Sequence, residues 1–582
     1  MRKLVHSICL LAFVALSSCE KVDGKNEPVV TPPYAEEEDD RDVIGATVVC
    51  AMVDPLEKVL REQKQFTEVR GPLDVARGET ASFQFVVRSG QPLMDLKVEA
   101  GNLSCGTCSI PVEFTAFVGY VGVDPASFSK IPSKDKIISG SSYYPDPLIE
   151  RETVNVSASD NQPIWISYRI PKDAEAGTYR AEVTITGSKN GADFRIRKKV
   201  SAEVWPVTVP DQTLLVYEWL NGHLEDLNGG VQPEGERYWE LLKLEVNKAR
   251  DYGHNVYMVC PINDCKFTKD GTGCSGPDTK YGFDWTDFDR RVEVMLREGG
   301  AKRLVGQHFA YREWMPGVDA WYEPFKLQIP YSETVTRPFD DTAKNFLDQF
   351  FPALYAHLKE KGWADIYWQH IGDEPGTREN AESYNAIAAY IRNLVPELRV
   401  LEANHSTKDV CGSIDVIAPM LDYFHRDYSF YKSQQDAGKE LWFYTCMEPV
   451  GDYANRFVEL PLIQTRILHW INFRYGATGY LCWGLDSWRT QDWENSRIDW
   501  GGTPAGDSWI IWPSYDKVYS SLRLEAMRDG INDYELLKLL QMKEPALAEE
   551  TASGVVKDFN SYDSRISVFR ARRVKILEAL SK

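Results

Sequence analysis

From Pro210 onward the chain repeats one pattern, a short apolar run with strand character followed by a segment with helical spacing. The candidate strands are 214–220, 255–262, 303–311, 365–373, 398–404, 416–421, 441–446 and 478–485, and helical periodicity follows most of them, as at 238–252, 341–361, 377–394 and 456–475. Such alternation buries the apolar runs as parallel strands joined by right-handed crossovers. Eight units within roughly 300 residues predict a closed TIM-type (β/α)8 barrel in preference to an open sheet. The expected fold class is α/β, this barrel being preceded by an all-β sandwich.

The sandwich is read from residues 43–209, where the runs 80–88, 162–170 and 178–186 alternate apolar and polar residues between Gly and Pro punctuation. No long amphipathic helix interrupts them, which favours two packed sheets. A supporting role is expected for this region, a carbohydrate-binding module being the alternative. The barrel with its C-terminal helices takes 210–582. Residues 1–19 stand apart: Arg2 and Lys3 precede an apolar run from Ile8 to Leu16 that is too short to span a bilayer and ends at Leu16-Ser17-Ser18-Cys19. That is the pattern of a bacterial lipoprotein signal, cleaved before Cys19 with lipid on its thiol; an ordinary secretory signal containing a Cys is the alternative. Residues 20–42 are polar, with Pro28, Pro32, Pro33 and an acidic cluster, so they form no core and read as a flexible tether. The expected location is the bacterial cell envelope, at the outer membrane and facing either the periplasm or the surface, with membrane contact through the lipid anchor only.

A formal net charge of −20 argues against nucleic acid or anionic lipid as the ligand, since both select basic surfaces. Of eleven cysteines, Cys9 leaves with the signal and Cys19 carries lipid; the nine others are an odd number, so at least one is unpaired within the chain. Cys105-Gly-Thr-Cys108 and the group Cys260, Cys265 and Cys274 lack a second Cys or His pair at zinc-site spacing, and a disulfide within one of them is the favoured alternative in an exported protein. No metal or cofactor is expected. The chain has no Gly-x-Ser-x-Gly, Walker loop, dinucleotide fingerprint or His-Glu-x-x-His, so serine-hydrolase, nucleotide and zinc-protease chemistry find no support.

The fourth candidate strand ends on two adjacent acids, Asp373-Glu374, before Pro375-Gly376. In a barrel the C-terminal strand ends carry the chemistry. Neighbouring carboxylates resist joint ionisation, so one is driven toward the protonated form while the other stays charged. A helix start also accommodates acids, with Thr377 as its cap, but accounts for one acid rather than two. A proton donor beside an ionised carboxylate suits glycosidic bond cleavage. Retaining enzymes with a covalent intermediate usually set acid and nucleophile on different strands, whereas adjacency suits substrate assistance, in which a 2-acetamido oxygen attacks the anomeric carbon; such intramolecular steps reach effective molarities of roughly 10⁵–10⁸ M. Asp373 is assigned to orienting and charge-stabilising the acetamido group, Glu374 to proton transfer. Candidate sugar-binding residues are Trp483 in the last strand, Trp488 in the Trp-rich segment after it together with Trp493, Trp500, Trp509 and Trp512, and Tyr444, His370, His308 and Tyr311 on strands seven, four and three. The partner expected is a glycan ending in a 2-acetamido sugar. Two other readings stand beside this one: a retaining glycosidase whose nucleophile is Glu448 or Asp486, and a non-catalytic glycan-binding lipoprotein.

Gly372-Asp373-Glu374-Pro375, Trp442-Phe-Tyr-Thr-Cys446, the run from Asn455 to Pro461 leading to His469-Trp470, Thr478-Gly-Tyr-Leu-Cys-Trp483 and the stretch from Ser521 to Glu535 resemble the catalytic domain of glycoside hydrolase family 123 and its wider relatives. The resemblance covers about 214–540 and extends weakly to Tyr143-Tyr-Pro-Asp-Pro-Leu148 and Gly177-Thr-Tyr-Arg-Ala181. It implies exo-acting, retaining β-N-acetylgalactosaminidase activity through substrate assistance, with the family's catalytic Asp-Glu pair falling on Asp373 and Glu374.

Overall fold

The structure, a computed structural model, describes residues 48–582 except 124–132, 222–223, 225–227, 229, 234, 312–323, 333–338, 489–496 and 499–502. The expected signal with Cys19, the whole tether, Trp493 and Trp500 lie outside the described residues. Eight strands close a parallel barrel: Leu215–Glu218, Val256–Val259, Arg303–Gly306, Tyr367–Gln369, Arg399–Asn404, Val416–Pro419, Glu440–Tyr444 and Gly479–Cys482. Each lies within a predicted run or within one residue of it, because a buried parallel strand needs a continuous apolar stretch. Its interior is filled by Leu215, Val256, Val305, Trp368, Leu401, Val416, Trp442 and Leu481. Trp442 fits because the eighth strand starts with Gly479, where a Cβ would come within 2.2 Å of its ring.

Helices Glu236–Asp251, Thr286–Arg297, Asp341–Lys361, Arg378–Leu394, Leu421–Arg426, Tyr428–Asp436 and Leu462–Tyr475 fill the crossovers, and Leu522–Lys543 follows the last strand. The regular (β/α)8 repeat is broken between strands five and six, where the crossover holds only the 3-10 segment Lys408–Ser413. The helix expected from 456 begins instead at Leu462, with Pro461 as its N-cap. A residue before proline is steered out of the helical region, so the turn cannot extend back through Leu460. That releases Arg456 to enter the interior.

The N-terminal region is two sheets. One runs Val49–Val53, Thr80–Arg88, Asn161–Arg169, Phe114–Val123, Arg497–Ile498, with Tyr143–Ile149 also on Phe114–Val123; the other runs Leu73–Arg77, Ala192–Thr208, Gly177–Lys189, Leu93–Ala100, Val154–Val156, with the hairpin Leu103–Cys105 and Cys108–Ile110 attached. Phe83, Phe85, Ile164 and Ile166 of the first share a core with Ile185, Ile196 and Val204 of the second. Cys105 and Cys108 are register partners across the hairpin, yet no disulfide forms there or among Cys260, Cys265 and Cys274. The neighbouring Glu175 instead raises the pKa of the Cys108 thiol.

The other face of the first sheet is not solvated. Val118, Tyr144, Leu148 and Trp165 join one core with Leu522, Leu524 and Met527 of the helix after the last barrel strand. Along Thr80–Arg88 every residue up to Val87 is therefore buried despite the alternating sequence, and the polar positions are satisfied internally: Ser82 pairs with Ser167 at 3.2 Å, and Gln84 donates to the carbonyls of Asp54 and Glu57. Charges cross the same junction. Arg523 donates to both carboxylate oxygens of Asp146 at 2.9 and 2.8 Å, Trp512 donates to Asp146 at 2.9 Å, and Arg573 joins Glu79 to Asp533. No helix among the described residues is long and apolar enough to cross a membrane.

Candidate active site

Strand four is short, and beyond Gln369 single contacts carry it outward: His370 N–H donates to the Gly306 carbonyl, and Phe309 and Ala310 N–H donate to that of Ile371. Gly372 then passes against Phe325, where a Cβ would approach the ring to 2.5 Å. The chain emerges with Asp373 exposed, and Glu374 follows at φ +44°. A non-glycine residue in the left-handed region costs on the order of 1–3 kcal/mol and persists only where its surroundings hold it. The helix start is capped elsewhere: Thr377 accepts from the Asn380 N–H while Asn380 accepts from that of Thr377, so neither acid is needed as a cap.

The turn is held from strand five. Asn404 donates to the Pro375 carbonyl at 2.9 Å, and Glu402 Oε2 accepts from the amides of Ile371 and Gly372 at 3.0 and 3.2 Å. Glu402 Oε1 accepts from His308 Nε2 and His370 Nδ1, each at 3.0 Å, and Tyr384 donates to Oε2 at 3.2 Å. The two imidazoles stack with centroids 4.2 Å apart, and Tyr217 lies 3.3 Å from His370 Nε2. Burial, reinforced by His308 and opposed by Glu402, lowers the pKa of His370, which favours a neutral ring donating to Glu402 and accepting from Tyr217.

For Glu402, burial works to raise the pKa, but His370 and His308 overrule it and bring the carboxyl to about 2, below its ordinary 4.5. A depressed carboxylate stabilises the fold fully above its unfolded value and loses that contribution as pH falls through the folded one. Acid unfolding followed by circular dichroism is thus expected to steepen between 4.5 and about 2, and Glu402→Gln to flatten that limb. His308, His370 and Glu402 are also the set among the described residues whose ligand atoms, within 4.8 Å of one another, could hold a metal ion.

Glu374 itself is 16% exposed; its Oε1 accepts from Tyr444 at 2.5 Å and lies 3.7 Å from His405 Nε2. Burial, then the Glu374 charge, push the Tyr444 phenol far above its ordinary value, so it is a fixed donor. Trp483 is half-buried at the end of strand eight, its indole N–H on Asp507 at 3.1 Å. Tyr311 is exposed and donates to the His308 carbonyl. Glu374, Tyr444 and the His308–His370 stack are thus gathered at the C-terminal ends of strands four, seven and three. Two expected sugar contacts are placed differently. His370 is fully buried with both ring nitrogens engaged, and Trp488 is buried with its N–H given to the Ile511 carbonyl at 2.7 Å. Trp509 and Trp512 are likewise core residues, packed edge to face.

Glu402, His405, Asn404 and Trp219, whose ring edge meets both His308 and His370, were not singled out by residue type and spacing. An available signal was the acid inside Val400-Leu401-Glu402-Ala403, the same mark that exposed Asp373. Glu218 is another: buried at the end of strand one, it accepts from His254 at 3.0 Å and pairs with Arg456, which also donates to the carbonyls of Gly484 and Asp507.

The profile of the glycoside hydrolase 123 catalytic domain matches residues 227–540, and that of the glycoside hydrolase 123 N-terminal domain matches 58–187. Among solved structures, a family 123 glycoside hydrolase from Clostridium perfringens, studied for glycolipid glycan hydrolysis, superposes with a TM-score of 0.69 at 15% identity, covering 92% of this chain and 97% of that one. A GH2 β-galacturonidase from Eisenbergiella tayi bound to galacturonate reaches a TM-score of 0.32 at 11% identity, over 78% of this chain and 69% of its own. None of the curated proteins compared with the chain matches it. With profile matches on both halves and a barrel carrying its acids at a strand end, the chain belongs to glycoside hydrolase family 123 and is a glycoside hydrolase.

Proposed function

We propose that the enzyme is exo-acting and releases a terminal β-linked N-acetylgalactosamine, or a related 2-acetamido sugar, with retention and through substrate assistance. The observation that carries this reading is the placement of Asp373 and Glu374 as chain neighbours on one turn, Glu374 being bonded to Tyr444 and Asp373 exposed. Ionised Asp373 accepts from the acetamido N–H and turns its carbonyl oxygen toward the anomeric carbon. That oxygen forms the new C–O bond as the glycosidic bond breaks, and Glu374 gives its proton to the leaving oxygen. The resulting oxazolinium bears a positive charge beside Asp373. Water, deprotonated by Glu374, then opens it from the opposite face, and two inversions give retention. Trp483 supplies an apolar wall for the ring.

Asp486, considered as an alternative nucleophile, is fully buried with one oxygen accepting from the Asn221 amide, which favours substrate assistance. The relative studied for glycolipid glycan hydrolysis makes glycolipid or glycan termini the natural substrates to try. Chromogenic β-GalNAc and β-GlcNAc are expected to be cleaved and β-Gal left intact, with tight inhibition by a thiazoline analogue of the oxazoline. Efficient release of plain galactose, or a covalent glycosyl-enzyme trapped on Glu448, would sink the mechanism. We further propose export as a lipoprotein acylated on Cys19, which palmitate labelling of wild type but not of Cys19→Ser would show.

A further inference from the structure

We propose that Glu402 is a positioning residue for the carboxylate pair, clamping the turn that presents Asp373 and Glu374; the proposal rests on the catalytic reading of that pair. Five donors converge on this one buried side chain: two imidazoles on Oε1, and the Ile371 and Gly372 amides with the Tyr384 hydroxyl on Oε2. An ionised carboxylate accepts only, through about four lone-pair sites, so it alone among side chains of this shape can meet such a set, the three donors on Oε2 sharing that oxygen's lone pairs. Glutamine would turn an N–H₂ against donors on one side or the other.

The consequence falls on the backbone. Residues two apart on a strand share a face, so Glu402 and Asn404 approach the neighbouring segment together. Glu402 takes the N–H groups of 371 and 372, and Asn404 takes the carbonyl of 375. Between those fixed points stand Asp373 and Glu374, the latter at φ +44°, a conformation that needs holding from both sides. His370 and His308 add stiffness: each has a ring nitrogen on Glu402, they stack on each other, and both meet Trp219 edge to face. Tyr444 reaches Glu374 across the barrel from strand seven, so a displaced turn breaks that contact too.

The full-length protein and its Glu402→Gln and Glu402→Asp variants would be compared in two ways. Hydrogen exchange read on the peptide spanning 370–376 is expected to show protection in the wild type and faster exchange in Glu402→Gln, while the barrel's other strands stay protected. On a chromogenic 2-acetamido substrate, kcat is expected to fall by roughly 10²-fold with KM nearly unchanged, the size of loss that a misplacement of about 1 Å produces. Glu402→Asp, which keeps the charge one methylene short, is expected to lie between the two and covers the case in which Gln prevents folding. Unchanged exchange at 370–376, or wild-type kcat in either folded variant, would overturn the proposal. So would loss of activity on chelation with recovery on adding zinc, which would assign the cluster to a cation. Wild-type inactivity on every 2-acetamido substrate would instead overturn the catalytic reading, leaving the exchange result to decide the role of Glu402.

Discussion

Glu374→Gln is expected to abolish measurable turnover of glycan substrates while leaving the fold intact. The side chain is only 16% exposed and its Oε1 is held by Tyr444 at 2.5 Å, an arrangement an amide oxygen reproduces, so structure should survive the loss of the proton. What is lost is general acid and base catalysis, worth roughly 10²–10⁴-fold. The loss should depend on the leaving group. A nitrophenolate departs with little protonation, so cleavage of an aryl glycoside should fall less than cleavage of a natural glycosidic bond, whose alkoxide cannot leave unprotonated. Equal losses on both, or a variant as active as wild type on glycans, would remove Glu374 from the proton-transfer role. Asp373→Asn is expected to impair both substrates alike, since it withdraws the charge that balances the oxazolinium whatever the aglycone.

The largest effect on stability is expected from Asp146→Ala. Arg523 is fully buried, and Asp146 is its only carboxylate partner among the described ion pairs; its remaining bonds go to the carbonyls of Arg456, Gly506 and Trp509. Removing one member of a buried pair strands the other charge and typically costs about 3–5 kcal/mol. Asp146 also accepts the Trp512 indole N–H, so the substitution orphans a second buried donor. Both partners lie where the Tyr143–Ile149 strand meets the loop and helix after the last barrel strand, and Leu148 N–H donates to Ser520 at the same place. Urea unfolding followed by tryptophan fluorescence should show a lower midpoint for the variant. A midpoint within error of the wild type would mean that the junction does not bear the charge pair's cost. Asp146→Asn keeps an acceptor for Trp512 and should fall between the two.

The architecture was largely readable from residue order. Each barrel strand requires a short apolar run and each helix a 3.6-residue period, and both are local properties that survive without knowledge of partners. Asp341–Lys361 follows from its helical spacing, and the structure ends it on an Asp340 cap and a left-handed Gly362. The start of Leu462–Tyr475 was missed by several residues because the periodicity around Arg456 outweighed the restriction Pro461 imposes on its predecessor. The Trp-rich segment misled for a different reason. An indole is equally at home on a sugar and in a core, and composition cannot tell which, whereas the Trp488, Trp509 and Trp512 side chains turned out to be buried.

By itself the sequence determined the alternation of strand and helix, the closure of eight parallel strands, and the arrival of two acids at the end of the fourth, because periodicity and adjacency are written along the chain. Tertiary structure alone decided that Thr80–Arg88 is buried on both faces, that Glu402 and Asn404 clamp the turn before the helix, and that Tyr444 meets Glu374. Those contacts join residues up to 70 positions apart, and their identity depends on strand register and on which faces are covered. Neither is encoded in any local window; both follow from how the barrel closes and how the sheet region docks upon it.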